Sequence, residues 1–226
     1  MTSGSVRTWA APTMPRNVST ISALTPPRLD GSQLGVDTNG QSVQGRLLVA
    51  TPPLIDPNFD RTVVLMLEHT DEGALGLVLN RPSETPLDDV VPEWRPFASA
   101  PGVVFSGGPV APEAVIALAR GPREFVADDA PEGWVPILDG LGTVDLGRDP
   151  LDLGVLVEDL RVFVGYAGWG PGQLEGELAQ DAWFVVKLQR DDPFAATPDA
   201  MWRAVLRRQR GRVAMFANYP SDAADN

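Results

Sequence analysis

One glycine-rich segment, Gly165–Leu178 (GYAGWGPGQLEGEL), carries the densest set of potential ligand-binding groups in the chain. A strand that passes through a glycine loop into a helix can direct backbone N–H groups at an anion. Pro171 removes one such donor, acidic residues stand at the helix start, and the spacing is not G-x-G-x-x-G, so a phosphate site is disfavoured. A cationic or amide-bearing ligand fits better, with Gln173 and Glu175 as polar handles and Trp169 as a stacking face. The alternative is that the glycines serve backbone conformation and close packing around the indole.

Paired carboxylates are the second candidate for chemistry, since two of them in one pocket could act as general acid and base. The candidates are Asp56, Asp60, Glu68, Glu175 and Glu177. A hydrolase or lyase of this kind is an alternative function, and it requires Asp56 and Glu175 to reach one pocket. No spacing rule demands that pair, and turn formation and solvation explain Asp56 and Asp60 equally well.

Nucleophilic and metal chemistry find little support in the residue inventory. The chain has no Cys and one His, His69, which excludes thiol nucleophiles, iron–sulfur clusters and thiolate or His-rich metal sites. Ser106 precedes two glycines but lacks the G-x-S-x-G elbow, and Ser83 carries no signature at all. We therefore assign no catalytic residue, no cofactor and no metal.

Polar and turn-forming residues gather at the ends of apolar runs. They are Asp56, Asn58, Asn80 and Arg81. Together with the Gly168–Glu175 loop they predict a surface that binds a small molecule or a protein. The sequence thus favours a non-enzymatic ligand- or partner-binding protein of regulatory type.

A short basic run lies near the C-terminal end of the chain. It comprises Arg203, Arg207, Arg208, Arg210 and Arg212, with no acid among them. Such a helix could dock on phosphate, so direct DNA binding is a further hypothesis. The short run has no interleaved aromatics, which favours instead a solvated face whose arginines pair with the protein's own carboxylates.

Composition sets the class of protein. The chain has 226 residues, of which 43% are hydrophobic and 21% charged, as in an ordinary globular domain. The formal net charge is −12, and residues 71–160, with 17 acidic and 5 basic side chains, account for all of it. An acidic protein is repelled by polyphosphate at long range, which disfavours general nucleic-acid affinity. No run of 18 apolar residues and no secretory signal is evident, so we expect a cytoplasmic monomer with no membrane contact.

Short apolar and β-branched runs bounded by turn residues predict a set of strands. These runs are Arg46–Ala50, Thr62–His69, Ala74–Asn80, Gly102–Phe105, Arg161–Tyr166 and Ala182–Leu188. Helical patterns cover Leu87–Trp94, Gln173–Ala179 and Thr197 to about Gln209. Hairpin-spaced strands with few helices indicate one α+β domain.

Three stretches are harder to assign. Residues 1–44, rich in Ser, Thr, Pro and Gly, predict a flexible tail before a domain over 45–220, with a second short tail at 221–226. Ala114–Arg120 is ambiguous, because Pro112 indicates a helix start while the β-branched residues after it favour a strand. Gly121–Asp149 reads as an acidic, loop-rich segment.

Two segments together resemble the YqgE/AlgH family, also known as UPF0301 or DUF179. They are Gly45–Pro82 (GRLLVATPPLIDPNFDRTVVLMLEHTDEGALGLVLNRP) and Gly165–Glu177 (GYAGWGPGQLEGE), with Ser106–Val110 (SGGPV) between them. The resemblance extends from about residue 45 to 218, and Arg203–Arg212 is similar to the C-terminal helix of actinobacterial members.

The resemblance implies a fold more than a function. It implies a single α+β domain with a bifurcated mixed sheet curled into a pseudo-barrel and a few helices outside, which makes Ala114–Arg120 a strand. The family name implies transcriptional regulation of exopolysaccharide synthesis. The family implies no agreed catalytic residues, and the chain shows no helix-turn-helix pattern.

Overall fold

The computed structural model describes residues 42–54, 56–123, 130–138, 140–153 and 157–220. Ten described strands form one sheet. They are β1 (Arg46–Ala50), β2 (Val63–Thr70), β3 (Gly73–Val78), β4 (Pro82–Pro86), β5 (Val103–Ser106), β6 (Val110–Arg120), β7 (Trp134–Leu138), β8 (Leu141–Val144), β9 (Asp159–Trp169) and β10 (Trp183–Lys187).

The described helices are short. They are α1 (Pro150–Leu153), α2 (Gln173–Ala179), α3 (Met201–Arg207) and α4 (Arg212–Met215), with 3₁₀ turns at Leu87–Asp89, Pro92–Phe97, Asp192–Phe194, Pro198–Ala200 and Phe216–Asn218. The segment Leu87–Trp94, predicted as one short helix, is helical but forms parts of the first two of these 3₁₀ turns. Pro92 and Pro96 lack the N–H groups that a longer α-helix would need, which limits the segment to single turns.

The sheet branches at β9. Its order is β10-β1-β2-β3-β9-β6-β8-β7, with β5 also paired to β9 and β4 to β5. The first half of β9 lies between antiparallel β6 and parallel β5, whereas Ala167–Trp169 pairs with β3. The branch curls the mixed sheet into a half-barrel, which confirms the α+β, bifurcated fold that the resemblance implied.

Alternating side chains of the strands form separate apolar layers. On β1, Leu47 and Val49 face the barrel interior, where they join side chains from α3 such as Trp202. The indole N–H of Trp202 donates to the Ala50 carbonyl at 2.9 Å and fixes α3 to this strand. Leu48 and Ala50 face the opposite layer, which α2 covers.

Two features of the middle region differ from simple pattern reading. Ala114–Arg120 is the C-terminal part of strand β6, so the helix start indicated by Pro112 is wrong and the resemblance is confirmed. Pro112 falls inside the register shift between Val110 and Val115, where the ladder to β9 is interrupted and needs no N–H. The segment read as loop-rich contains the β7–β8 hairpin.

The two residues before Gly45, Val43 and Gln44, contact strand β2. Val43 is buried against the layer under α2, and its N–H donates to His69 Nδ1 at 3.1 Å. Gln44 donates to the Leu67 carbonyl at 3.0 Å. Residues 1–41, the bulk of the predicted tail, and 221–226 lie outside the described residues.

Candidate functional site

A small polar cleft lies beside the C-terminal end of β3. Asn58, Arg81 and Ser106 supply its polar side chains, and the cleft encloses about 220 Å³. Its remaining walls are Pro57, Val78, Gly108 and Pro109. An amide, a guanidinium and a hydroxyl from three separate chain segments therefore converge on one space.

The Asp56–Asp60 turn fixes the position of Asn58. The Asp56 carboxylate accepts the Asn58 N–H at 2.8 Å, and its carbonyl accepts the N–H groups of Phe59 and Asp60 at 2.9 and 2.8 Å. This is an Asx turn, in which the carboxylate acts on its own backbone. Asp56 therefore positions Asn58 through its backbone N–H, and Asp56 is not among the residues that line the cleft.

Arg81 and Ser106 are held by the backbone around them. The Ser106 N–H donates to the Arg81 carbonyl at 2.8 Å, and the Arg81 guanidinium donates to the Asp60 carbonyl. A guanidinium has five N–H donors. One contact to a carbonyl therefore leaves most of its hydrogen-bonding capacity for a ligand.

The Ser106-Gly107-Gly108-Pro109 loop passes tightly between β3 and β9. The Gly107 N–H donates to Val164, and its carbonyl accepts from Val78, both at 2.8 Å. A Cβ at Gly107 would lie 2.3 Å from the Gly165 carbonyl oxygen. The two glycines of the loop therefore allow the close approach that places Ser106 at the cleft.

Asn80, a predicted binding residue, is buried and serves the backbone. Its side-chain Oδ1 accepts the Val63 N–H at 2.8 Å, and its side-chain Nδ2 donates to the Arg61 carbonyl at 2.9 Å. The side chain joins the turn before β2 to the end of β3. These hydrogen bonds orient the chain just before Arg81, and Asn80 is not among the residues that line the cleft.

His69 and Glu175 form a second polar group at the far end of β2. His69 is 1% exposed, and its Nε2 lies 2.9 Å from Glu175 Oε1. Because Nδ1 accepts the Val43 N–H, Nε2 carries the proton and donates to the carboxylate. Both ring nitrogens are occupied, so the imidazole tethers α2 to β2 and is not free to act as a base.

The carboxylate of Glu177 accepts hydrogen bonds from side chains of the predicted glycine-loop site. Its Oε2 accepts the indole N–H groups of Trp169 and Trp183 at 2.9 and 2.8 Å, and its Oε1 accepts Gln173 Nε2 at 3.0 Å. Gln173 Oε1 in turn accepts the Gly170 N–H at 3.1 Å. Trp169 is 6% exposed and packs against Phe59 and Trp183. The loop residues predicted as ligand handles thus hold α2 on the sheet.

The predicted basic patch divides into internal and exposed arginines. Arg208 pairs with both carboxylate oxygens of Asp192, at 2.5 and 2.6 Å, and Arg203 donates to the Ala217 carbonyl at 2.9 Å. Arg207, Arg210 and Arg212 are exposed. The pairing of Arg208 is of the kind expected for a helix face that pairs with the protein's own carboxylates.

Asp56 and Glu175, the predicted carboxylate pair, make separate local contacts in the described part of the chain. Neither of them lines the cleft of Asn58, Arg81 and Ser106, and each is engaged in the hydrogen bond given above. Within the described ranges, no group of three or more His, Asp or Glu side chains is arranged to hold a metal.

Burial changes the pKa of two groups outside the cleft. Desolvation raises the pKa of Glu68 above its ordinary value of 4.5. Desolvation also lowers the pKa of Arg161 to about 10, although nearby Asp159 opposes the shift. Arg161 donates to the carbonyls of Ala100, Pro193 and Ala195, so this cation is a structural tie.

Of the predicted binding residues, Asn58 and Arg81 share the cleft, whereas Trp169, Gln173 and Glu175 belong to the α2 attachment. Sequence reasoning considered Ser106 as a nucleophile and missed it as a cleft residue. The signal was the pair of glycines after it, which marks a close backbone approach. No helix among the described residues is long and apolar enough to span a membrane.

Comparison with known proteins gives consistent matches. The family model described as DUF179, AlgH-like, matches residues 47–214. A UPF0301 protein of Streptomyces avermitilis is 49% identical over 189 residues, which cover 84% of this chain and 98% of that protein. A UPF0301 protein of Thermobifida fusca is 46% identical, covering 82% of this chain and 96% of the relative.

Two solved structures share the fold. The crystal structure of protein DIP2367 from Corynebacterium diphtheriae superposes with a TM-score of 0.73 at 30% identity, covering 77% of this chain and 91% of that one. The solution structure of the AlgH protein from Pseudomonas aeruginosa gives a TM-score of 0.58 at 28% identity, covering 80% and 96%. Both similarities extend across most of the described half-barrel.

Proposed function

We propose, from the premise that this chain belongs to the AlgH-like family DUF179, that it is a non-enzymatic cytoplasmic binding protein. Its ligand-binding site is the cleft formed by Asn58, Arg81 and Ser106. The ligand group is a carboxylate, on a small acid or at the C-terminus of a partner polypeptide.

The convergence of the three polar side chains carries this proposal. Asn58 comes from the turn before β2, Arg81 follows β3, and Ser106 ends β5. Asn58 and Ser106 are exposed and Arg81 is partly exposed, and each belongs to a segment whose backbone is fixed by hydrogen bonds. Fixed polar groups around a small concave space are the usual features of a binding site.

The donors in the cleft favour an acceptor-rich ligand. A guanidinium matches a carboxylate in planar, two-point geometry, and the amide and hydroxyl add directional donors beside it. A volume of about 220 Å³ admits a single such group with a short attachment. The ligand therefore enters by one end, as a chain terminus or a small acid does.

A regulatory role of the kind that the family name implies would operate through this ligand. The net charge of −12 opposes DNA at long range. Arg203 and Arg208 already make internal contacts, which leaves three exposed arginines of the original five. We therefore propose that ligand or partner binding, rather than direct DNA contact, is the regulatory event.

Calorimetric titration with an N-acetylated tripeptide bearing a free C-terminus tests the proposal. The amidated tripeptide is the matched ligand control, because it differs only in the carboxylate. We expect Arg81→Gln to weaken binding of the free acid about tenfold or more, since a hydrogen bond to a charged group is lost. Arg207→Gln, which removes an exposed arginine on α3, should bind as the wild type does.

Two results would reject the carboxylate site. One is equal binding of the free and amidated peptides to the wild type. The other is equal weakening by Arg81→Gln and Arg207→Gln, which would show a general charge effect. Succinate serves as the small-acid probe, and its binding without peptide binding would assign the cleft to small molecules.

A further inference from the structure

A second and larger cavity lies where the two edges of the half-barrel approach each other. It encloses about 640 Å³ between the start of β1, the end of β10 and the hairpin of β7 and β8. No residue that lines this cavity also lines the cleft of Asn58, Arg81 and Ser106. Its function is therefore a separate question.

The charged residues among the described lining of the cavity are all basic, although the protein as a whole is acidic. Five cationic side chains line it, and no acidic residue of the described ranges does so. They are Arg46, Arg120, Arg123, Lys187 and Arg190. With a net charge of −12 over the whole chain, this concentration of positive charge marks the cavity as a place where anions gather.

The five cations are not equally neutralised. Arg120 pairs with Asp159 and Asp191 at 3.2 and 3.0 Å, and Arg190 pairs with Glu158 at 2.7 Å. No ion pair to a described carboxylate joins Arg46, Arg123 or Lys187, and all three are exposed. No described carboxylate therefore neutralises these three charges.

Two of these cations face each other across the sheet. Arg46 and Lys187 are directly opposed partners in the antiparallel β1–β10 ladder. Side chains in such positions point to the same face with Cβ atoms about 5 Å apart, and like charges there destabilise the pair. A bound anion between them would turn this repulsion into two attractive contacts.

We infer that this cavity binds a phosphate-bearing small molecule with more than one negative charge. Arg46, Lys187 and Arg123 would contact the phosphates. Leu138, Leu141 and Leu188 form an apolar wall that suits an organic moiety. The volume lies in the range of pockets that hold metabolites of nucleotide size.

Calorimetric titration of the full-length protein with inorganic tripolyphosphate and with ATP, in magnesium-free buffer of low ionic strength, tests the inference. Both probes carry the phosphate chain, and only ATP carries an organic moiety. We expect both to bind. Tighter binding of ATP would assign the leucine wall a role, and equal binding would assign the site to the phosphate chain alone.

The variant Lys187→Glu separates ligand binding from folding. It replaces the like-charge pair with an opposite-charge pair across β1 and β10, so its melting temperature should equal or exceed that of the wild type. Its affinity for tripolyphosphate should fall tenfold or more, because one attractive charge becomes repulsive. Arg207→Glu makes the same charge change on an exposed part of α3 outside the cavity, and it should bind as the wild type does.

Absence of binding of either probe to the wild type would overturn the inference. So would equal weakening by Lys187→Glu and Arg207→Glu, since that would report net charge alone. A melting temperature of Lys187→Glu well below that of the wild type would contradict the claim that the opposed cations are unfavourable without a ligand.

Discussion

His69 shows how a residue type associated with catalysis can be entirely structural. It accepts the Val43 N–H at one ring nitrogen and donates to Glu175 at the other, so one side chain joins the N-terminal segment, β2 and α2. The side chain is 1% exposed at this strand end, and both of its ring nitrogens have a partner. Neither partner could be identified from the sequence, because Glu175 lies 106 positions away.

We expect His69→Ala to lower the free energy of unfolding by about 1–3 kcal/mol, because it leaves the Val43 N–H buried without an acceptor. Chemical denaturation monitored by tryptophan fluorescence measures the loss. Glu72→Gln, at an exposed position in the β2–β3 turn, is the control and should change stability little. Equal stability of His69→Ala and the wild type would contradict the tether.

Glu68 provides a prediction at the same scale that depends on pH. Burial raises its pKa in the folded protein, so its charged form is disfavoured by folding. Above that raised pKa the carboxylate costs stability, and below its ordinary pKa of 4.5 the cost disappears. Glu68→Gln should therefore stabilise the protein at pH 7, and the gain should shrink as the pH falls toward 4.5.

Thermal melts of the wild type and of Glu68→Gln between pH 4 and 8 test the sign of this pH dependence. Glu72→Gln, whose side chain is exposed, controls for the loss of one negative charge. A gain for Glu68→Gln that grows at low pH would show that the carboxylate is stabilised in the folded state instead.

At the scale of elements, the crossing of the Ser106–Pro109 loop over β9 shapes the cleft. A Cβ at Gly107 would meet the Gly165 carbonyl oxygen at 2.3 Å, and neither backbone can move without breaking the hydrogen bonds to Val78 and Val164. Gly107→Ala should therefore lower the free energy of unfolding by about 1–3 kcal/mol.

Gly170→Ala is the matched control, because a Cβ there has no atom within 4 Å. Its effect should stay within about 0.5 kcal/mol. Denaturation midpoints of the two variants distinguish close approach from a general preference for glycine. Similar losses in both would contradict the close-approach explanation.

Elements with regular patterns were predictable and those that depend on tertiary pairing were not. The apolar runs of β1, β2 and β10 and the bounds of α2 follow from local sequence. The β7–β8 hairpin was missed because Pro136 and Gly142 weaken its local strand signal. Strand β7 pairs with β8, and β8 pairs in turn with β6. These pairings stabilise the hairpin, and they cannot be seen in the sequence of one segment.

At the scale of the whole molecule, the branching of the sheet decides which predicted residues meet. Parallel pairing of β5 with β9 brings Ser106 beside the end of β3, where Arg81 follows. The sequence identified Asn58 and Arg81 as polar residues at strand ends, but it could not show that Trp169, Gln173 and Glu175 make internal contacts and do not line the cleft. The pairing of β9, whose two halves have different partners, is not visible in any single segment of the sequence.

Nuclear magnetic resonance titration of the ¹⁵N-labelled protein with the free-acid tripeptide tests the proposed binding site most directly. We predict that shifts concentrate on the backbone amides of Asn58, Arg81, Ser106 and Gly107, and that the amidated tripeptide leaves them unchanged. Shifts centred on α2, or none with either peptide or with succinate, would contradict a carboxylate-binding cleft at the end of β3.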